Sequence, residues 1–382
     1  MIASSTVDLN SLRVDLVGSL LRPARLKDAF AKSGAGEAGD QDLRSAQDEA
    51  IREVIAKQEA HHLPLIVDGE FRRTNFMESF SIVAGMEEWQ TGVKSYHHIL
   101  AREDTAESKT AKGQDPILLN RKRVTEKLRL VHNRLLEDYR FAQRQTPRPV
   151  KVTLIGPDRI TQCFDSENSR SVYPTVDDFV SDVVVVEREM VAQLVQAGCR
   201  YVGIDAPGYT AYVDKPSLGA MRARGEDPGK NMERSIRADN EVIDGFPGVT
   251  FGIHLCRGNR QSMWHREGSY DAIAEQLFTG LKHPRLLLEY DTERAGSFEP
   301  LRFVPKGKTV VLGLITTKVG RVETVDELSR RIEQAARYIP IEQLALSPQC
   351  GFASSIIGNL LTEEEQFRKL DAMIETAAKV WG

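Results

Sequence analysis

Short runs of apolar and β-branched residues recur along the chain and are separated by longer amphipathic stretches. The runs predict eight strands, at residues 13–18, 64–69, 150–155, 201–205, 249–255, 285–290, 309–315 and 344–350. Most of the intervening stretches place apolar residues at helical spacing, as in 41–60 and 176–197. Apolar strands that alternate with helices are typical of a parallel sheet covered by helices. The pattern therefore predicts an α/β fold, a single (β/α)8 TIM barrel.

The interval between the second and third predicted strands departs from this alternation. Residues 80–148 are too many for one crossover helix, and they include a polar loop around 102–115 and a charged, helix-like run over 121–145. We expect one barrel domain over residues 1–382, with 80–148 inserted in it as a cap on the barrel mouth.

Composition and charge narrow the classes of partner. Apolar residues make up 41% of the 382 residues and charged residues 28%, which is ordinary for a folded domain with a large core. The net charge of −4 has interspersed signs, which argues against a nucleic-acid partner and against a polybasic membrane anchor. No apolar run approaches the roughly 20 residues that span a bilayer, and no secretory signal is evident. We expect a cytoplasmic protein with a small-molecule partner; the oligomeric state, a homo-oligomer included, stays open.

Candidate metal chemistry comes from the cysteines, which are too few for a disulfide framework. His254 and Cys256 end the fifth predicted strand, and alternation along a strand turns both side chains to the same side. An imidazole and a thiolate so placed can share one tetrahedral cation. Cys350 ends the eighth predicted strand and can supply a further ligand. The three residues predict a Zn²⁺ site built across strands.

Glu289 is the best candidate for a fourth ligand. It ends the sixth predicted strand directly after three leucines, where an unpaired carboxylate would cost several kcal/mol. A salt bridge with Arg294 or Arg257 is the structural alternative. Because active sites of such barrels lie at the carboxyl ends of the strands, the other polar residues there are also candidates. They are Ser19, Glu70 and Asp205.

These residues fall in motifs that resemble the catalytic half of cobalamin-independent methionine synthase, and more closely its short, single-barrel members. The motifs run in order from about residue 13 to the C-terminus, interrupted chiefly around 80–145. They are Leu16-Val17-Gly18-Ser19, Asp68-Gly69-Glu70-Phe71-Arg72-Arg73, Ile155-Gly156-Pro157, Ile204-Asp205-Ala206-Pro207, His254-Leu255-Cys256, Glu289 and Pro348-Gln349-Cys350-Gly351.

The resemblance implies a set of roles. His254, Cys256, Glu289 and Cys350 would be the zinc ligands, and the ammonium group of homocysteine would lie between Glu70 and Asp205, with Ser19 also in the site. The zinc-bound thiolate of homocysteine would attack the methyl group of a methyltetrahydrofolate-like or corrinoid donor and give methionine. Coordination to zinc deprotonates a thiol that is a poor nucleophile at neutral pH.

Three departures from the family pattern concern the donor side. Ala206 stands where these enzymes carry a glutamate after the aspartate, and the tryptophan expected after Gly156-Pro157 is replaced by a stretch that begins with Asp158. The histidine expected near the end of the seventh strand is absent, and the stretch there ends in Lys318. The thiol half of the site is therefore better preserved than the donor half.

Four arginines are candidates for binding an anionic group on the donor or the thiol. Arg257 and Arg260 directly follow the metal half-site, and Arg22 and Arg72 lie at the far rim. For the first two, ordinary solvation at a helix start is the alternative.

Three further functions remain open at this stage. Epoxyalkane:coenzyme M transferases resemble the short family members and pair the same chemistry with another small thiol. A metal-free barrel like uroporphyrinogen decarboxylase would not need His254, Cys256 and Cys350 together. A catalytically silent zinc-binding barrel would serve as a regulator or metal reserve.

Overall fold

The computed structural model describes residues 8–86 and 121–382. The strands in these ranges are β1 Ile82–Met86, β2 Val124–His132, β3 Lys151–Ile155, β4 Tyr201–Asp205, β5 Thr250–Leu255, β6 Arg285–Glu289, β7 Thr309–Ile315 and β8 Leu344–Pro348. The α-helices are α1 Ala24–Ala35, α2 Asp40–Ala60, α3 Arg134–Gln143, α4 Pro157–Gln162, α5 Val176–Gln196, α6 Lys215–Ala223, α7 Pro228–Ile243, α8 Ala274–Gly280, α9 Val325–Ala335 and α10 Glu363–Trp381.

Strands β3 to β8 form one parallel sheet in which each strand pairs with its neighbours in sequence. Two extended segments continue this sheet from β8 back to β3. Parallel bridges join Val14 to Leu346, Ser19 to Gly69, and Ile66 to Val150. The predicted (β/α)8 barrel is therefore confirmed, with the two segments in its first and second positions.

The strands predicted at 13–18 and 64–69 are thus extended segments with single bridges, not regular strands. Side chains take the place of ladder partners in both. The Asp15 carboxylate accepts the N–H of Leu16. The Gln58 side chain bonds both the N–H and the carbonyl of Val67. Backbone groups satisfied in this way do not extend a ladder.

The predicted helices at 41–60 and 176–197 correspond to α2 and α5. Helix α5 begins at a capping box, in which Thr175 and Asp178 each bond the other's backbone N–H. Thr324 and Thr362 begin α9 and α10 in the same way. The apolar faces of these helices pack on the outside of the barrel, which is typical of this fold.

The helix-like run predicted over 121–145 is wrong in its first part. Residues 124–132 form β2, which pairs antiparallel with β1, and only Arg134–Gln143 is helical. Val124 and Leu128 are buried, while the charged residues between them face outward. The N–H groups of Val124 and Leu128 donate to Ser169 and Tyr173, so tertiary contacts hold this segment extended. The predicted loop at 102–115 lies outside the described residues, and capping of the barrel mouth by 80–148 stays a prediction.

The floor of the barrel holds a fully buried charge cluster. The Asp15 carboxylate accepts from Lys151 Nζ at 2.9 Å and from Arg285 Nε at 3.0 Å, and the Tyr201 hydroxyl donates to it as well. Lys151, Tyr201 and Arg285 are the first residues of β3, β4 and β6. The cluster therefore lies at the amino ends of the strands, opposite the end where active sites form in this fold.

Two buried carboxylates lie between α5 and α7, behind the barrel wall. Neither carboxylate oxygen of Glu187 has a hydrogen-bond partner within the described ranges. Asp239 accepts a hydrogen bond from the Tyr209 hydroxyl at 2.5 Å, and burial raises its pKa to about 8. Burial and the nearby Asp239 raise the pKa of Glu187 well above its ordinary value. Both groups therefore favour their protonated form in the folded protein.

We expect the free energy of unfolding to decrease as pH rises towards 8. Asp239 has a pKa of about 8 when folded against an ordinary value of 3.8, so the folded state binds the extra proton between these values and loses stability as that proton leaves. The loss should be on the order of 1 kcal/mol per pH unit. Urea unfolding at about pH 6 and about pH 8 measures it. Asp239→Asn should flatten the dependence, and an equally steep fall in this variant would contradict the assignment.

Candidate metal centre and substrate cavity

A cavity of about 990 Å³ opens at the carboxyl ends of the barrel strands. Its size is at the upper end of the range for small-molecule sites. Most of the residues predicted for the site lie on the wall of this cavity. They are Ser19, Glu70, Asp205, His254, Cys256, Arg260 and Cys350. The barrel register accounts for part of this convergence, because Asp205 at the end of β4 pairs directly with His254 on β5.

His254, Cys256 and Cys350 form a buried group in which one ligand atom of each lies within 4.8 Å of the others. Apart from the Cys256 thiol beside it, the imidazole of His254 has no hydrogen-bond partner in the part of the chain that the structure describes. A buried imidazole with so few partners is costly in a folded core. One nitrogen and two sulfurs at this separation are a donor set that suits a tetrahedral Zn²⁺, with room for further ligands.

The two thiols of this group are electrostatically coupled. A hydrogen bond from Cys350 lowers the pKa of Cys256 well below its ordinary value, against the opposing effect of burial. The same hydrogen bond and burial raise the pKa of Cys350. Burial alone would lower the pKa of His254, yet Cys256 and Asp205 raise it. These shifts favour negative charge on Cys256 and positive charge on His254, and a divalent cation bound by the group would replace the proton of His254.

The structure does not bring Glu289 into the three-residue group. Its side chain is fully buried, and one oxygen accepts from Arg294 Nε at 2.9 Å. The other oxygen accepts the N–H of Arg257 at 2.6 Å. The salt-bridge alternative with Arg294 is thus present. Glu289 still interacts electrostatically with both His254 and Cys256, which places it beside the group.

Glu70 and Asp205 form a pair of carboxylates on the cavity wall. Glu70 Oε1 accepts from Thr153 at 2.8 Å and lies 3.7 Å from Arg73, whereas Glu70 Oε2 has no partner among the described residues. Burial, together with Glu70 and Cys256, raises the pKa of Asp205 to about 7, although His254 opposes the shift. The two carboxylates can therefore accept a cationic group that neither could hold as well alone.

Backbone conformation positions Glu70 and Ser19. Glu70 has a φ of 60°, in the left-handed region that non-glycine residues rarely adopt. A Cβ on Gly351 would lie 1.9 Å from the Ser19 hydroxyl, so only glycine allows this approach. Gly351 follows Cys350 directly and thereby brings the metal group and Ser19 to one wall of the cavity.

The structure shows what three of the four candidate anion-binding arginines contact within the protein. The terminal nitrogens of Arg22 donate to four backbone carbonyls. Arg72 pairs with Asp48 and Asp138. Arg257 donates to the carbonyl of Gly268, at the end of its own loop, and to the carbonyl of Glu289, at the end of β6. Of the four, Arg260 is the one that lines the cavity within the described part of the chain.

Sequence reasoning missed the polar network that supports the loop after β5. Lys318 Nζ donates to the carbonyl of Gly258 and to Asn259 Oδ1, both at 2.9 Å. Asn359 also donates to Asn259, at 2.8 Å. The signal in the sequence was the lysine at the place of the expected histidine. Here it holds the backbone that follows the metal half-site.

Fold and site together define a class of protein, a (β/α)8 barrel with a histidine–dithiol group and paired carboxylates at the carboxyl ends of its strands. The chain belongs to the cobalamin-independent synthase family, and the model of the family's catalytic domain matches residues 14–218 and 268–379. Residues 219–267, which include β5 and the loop after it, lie between the two matched ranges.

Individual relatives agree with this family. The Bacillus subtilis protein YxjH, which is described as uncharacterized, is 36% identical, and the match covers 97% of this chain and 94% of that protein. A methionine synthase from Pyrococcus abyssi is 23% identical over 97% of this chain and 93% of its own length. A crystal structure of a Listeria monocytogenes protein assigned as a vitamin-B12 independent methionine synthase has a TM-score of 0.73 and 26% identity. It covers 97% of this chain and 98% of that one.

The helices in the described ranges were also compared with what a lipid bilayer requires. None of them combines the length and the apolar character needed to cross a membrane.

Proposed function

We propose that this protein is a zinc-dependent thiol alkyltransferase, and most simply that it transfers a methyl group to homocysteine to give methionine. The observation that carries the proposal is the group of His254, Cys256 and Cys350, buried within 4.8 Å of one another on a cavity that also holds two carboxylates. Membership of the cobalamin-independent synthase family supports the same chemistry.

The donor set favours zinc over harder cations. Thiolates and imidazole suit Zn²⁺, whereas Mg²⁺ and Ca²⁺ require oxygen ligands. Zinc, when bound, lowers the pKa of a substrate thiol so that its sulfur is a nucleophile near neutral pH. His254, Cys256 and Cys350 would hold the ion. We keep Glu289 as the proposed fourth ligand, although coordination would require it to give up part of its contact with Arg294.

Glu70 and Asp205 would bind the ammonium group of the amino-acid thiol. Glu70 Oε2 is buried without a partner in the described protein, so an N–H donor from the substrate would satisfy it. Asp205, with a pKa raised to about 7, would lose its proton when a cation binds beside it. Ser19 lies on the same wall. These contacts would orient the sulfur towards the metal group.

The alkyl donor would occupy the remainder of the cavity. The substrate sulfur forms a bond to the alkyl carbon while the bond from that carbon to the donor breaks, and the electron pair of that bond leaves with the donor. A cavity of about 990 Å³ can hold both molecules with the reacting atoms in line. A methyltetrahydrofolate-like or corrinoid-bound methyl group would meet this requirement.

The deciding experiment measures metal content and follows the coordination shell by X-ray absorption, with homocysteine or coenzyme M added. One zinc per chain whose shell gains sulfur only with homocysteine supports the proposal. Sulfur gained only with coenzyme M would replace it with the epoxyalkane:coenzyme M transferase-like alternative. A protein without zinc after reconstitution under reducing conditions would favour the metal-free barrel.

Asp205→Asn is expected to retain zinc and to weaken the binding of homocysteine by about tenfold or more, because a charge-assisted hydrogen bond to the ammonium group is lost. Calorimetric titration of the zinc-loaded variant measures the change. 3-Mercaptopropionate, a thiol without the ammonium group, serves as the control ligand, and its affinity should be nearly unchanged. Unaltered homocysteine affinity would remove Asp205 from the site.

A further inference from the structure

The cavity wall contains a buried cation that forms no ion pair within the described residues. Arg159, on α4, lines the cavity and is only 3% exposed. Its Nη1 donates to the neutral side chain of Gln162 at 2.8 Å, and its Nε has no partner in the described residues. No carboxylate within the described ranges lies at ion-pair distance from Arg159. A guanidinium in this position carries a desolvation cost that Gln162 and the nearby Asp158 offset only in part.

The carboxylates nearest in the fold are already engaged. Asp158 accepts from the Ser235 hydroxyl at 2.5 Å and from Gln162 at 3.0 Å. Asp214 accepts the N–H groups of Ser217 and Glu267 and thereby begins α6. Neither carboxylate forms an ion pair with Arg159.

A second guanidinium reinforces the positive potential of this wall. Arg266 donates to the carbonyl of Pro207 at 2.5 Å, and like Arg159 it has no carboxylate at ion-pair distance in the described part of the chain. Burial and the proximity of Arg159 lower the pKa of Arg266 to about 10. Asp158 interacts electrostatically with both cations, but burial raises its pKa and so weakens its negative charge. Two cations held close together in this way are typical of a site that binds an anion.

We infer that Arg159, supported by Arg266, is the binding subsite for an anionic group of the alkyl donor, a carboxylate, phosphate or sulfonate. The inference rests on the proposed alkyl transfer and adds a requirement on the donor: the part of it that does not react bears a negative charge. Binding of that charge would place the donor on the wall formed by 207–216 and 257–268.

The position of Arg159 assigns the anion to the donor and not to the thiol. Of the three candidate contacts of the thiol substrate, Ser19 and Glu70 come from the first two segments of the barrel, and Asp205 comes from the end of β4. Arg159 interacts instead with Arg266 and His265, in the loop after β5.

The test uses inorganic phosphate as the probe, titrated by calorimetry into the zinc-loaded protein saturated with homocysteine. We expect saturable phosphate binding that Arg159→Gln weakens by about tenfold or more. Arg159→Lys, which keeps the charge but loses the planar donor pair, should be intermediate. The control is Arg222→Gln, which removes an exposed cation of α6 outside the cavity lining and should change phosphate affinity less than about twofold.

Each outcome bears on a separate claim. Equal phosphate affinity in the wild type and Arg159→Gln, or no phosphate binding by either, would overturn the subsite. If Arg159→Gln lost homocysteine affinity as much as phosphate affinity, Arg159 would bind an anionic group of the thiol substrate. That result would overturn its assignment to the donor. Zinc content and homocysteine binding of the wild type test the proposed function independently. Arg159→Gln should unfold at a temperature no lower than the wild type, because it removes an unpaired buried charge.

Discussion

Replacing Cys350 with serine is expected to remove zinc from the protein and to abolish alkyl transfer while the barrel stays folded. Cys350 lies at the cavity, outside the layers of side chains that fill the barrel, and a serine hydroxyl is a poor ligand for zinc. Even residues that only orient metal ligands cost about 10- to 100-fold in metal affinity when changed, so loss of a ligand should cost at least about 100-fold. Metal analysis after dialysis against a weak chelator measures the loss.

The matched control is Cys199→Ser. Cys199 is equally buried but lies before β4, where its thiol donates to the carbonyl of Tyr201 at 3.4 Å. This variant should keep its zinc. His254→Ala should behave like Cys350→Ser, because it removes another member of the group. A Cys350→Ser protein with full zinc content, or one that does not fold, would count against the metal centre.

Asp15→Ala is expected to give the largest loss of stability of any single substitution considered for this protein. It would leave Lys151 and Arg285 buried without a counter-charge on the barrel floor. Breaking a buried ion pair by removing one partner typically costs about 3–5 kcal/mol, and here two cations lose the same carboxylate. Urea or thermal unfolding followed by circular dichroism measures the decrease.

The control for this substitution is Asp326→Ala, which breaks an exposed ion pair with Lys379 and should leave the unfolding midpoint nearly unchanged. The pH dependence gives a second check. Although burial opposes it, Lys151 and Arg285 lower the pKa of Asp15, so its contribution to stability is present above the ordinary carboxyl pKa and is lost as pH falls through the lowered one. An Asp15→Ala protein as stable as the wild type would contradict the role of the cluster.

The group of His254, Cys256 and Cys350 shows how much of the site could be predicted from alternation along the strands. Alternation along β5 placed His254 and Cys256 on one side, and both line the cavity as predicted from the sequence. The separation from Cys350 depends on barrel closure, which joins β8 to the segment around Val14. Glu289 shows the limit, because its position after three leucines fits both a ligand and a salt bridge. Only the tertiary structure shows that Arg294 lies against Glu289.

Neither the charge cluster on the barrel floor nor the pairing of β1 with β2 has a local signal in the sequence. Lys151 and Arg285 begin their strands, where a charged residue is usually exposed, and only closure of the barrel brings them to Asp15. Residues 124–132 alternate imperfectly and are rich in charge, so periodicity favoured a helix. Their pairing with β1, and the hydrogen bonds that their N–H groups donate to Ser169 and Tyr173, determine the strand.

The sequence by itself determined the barrel, the end of it at which the site lies, and the residue types that meet there. These follow from patterns within single segments, where the spacing of apolar and polar residues sets which side chains face the core. The tertiary structure alone decided which charges are paired. Glu289 pairs with Arg294, and Asp15 pairs with Lys151 and Arg285 on the floor, whereas Arg159 forms no ion pair among the described residues. Pairing depends on distances between segments far apart in the chain, and no local pattern encodes those distances.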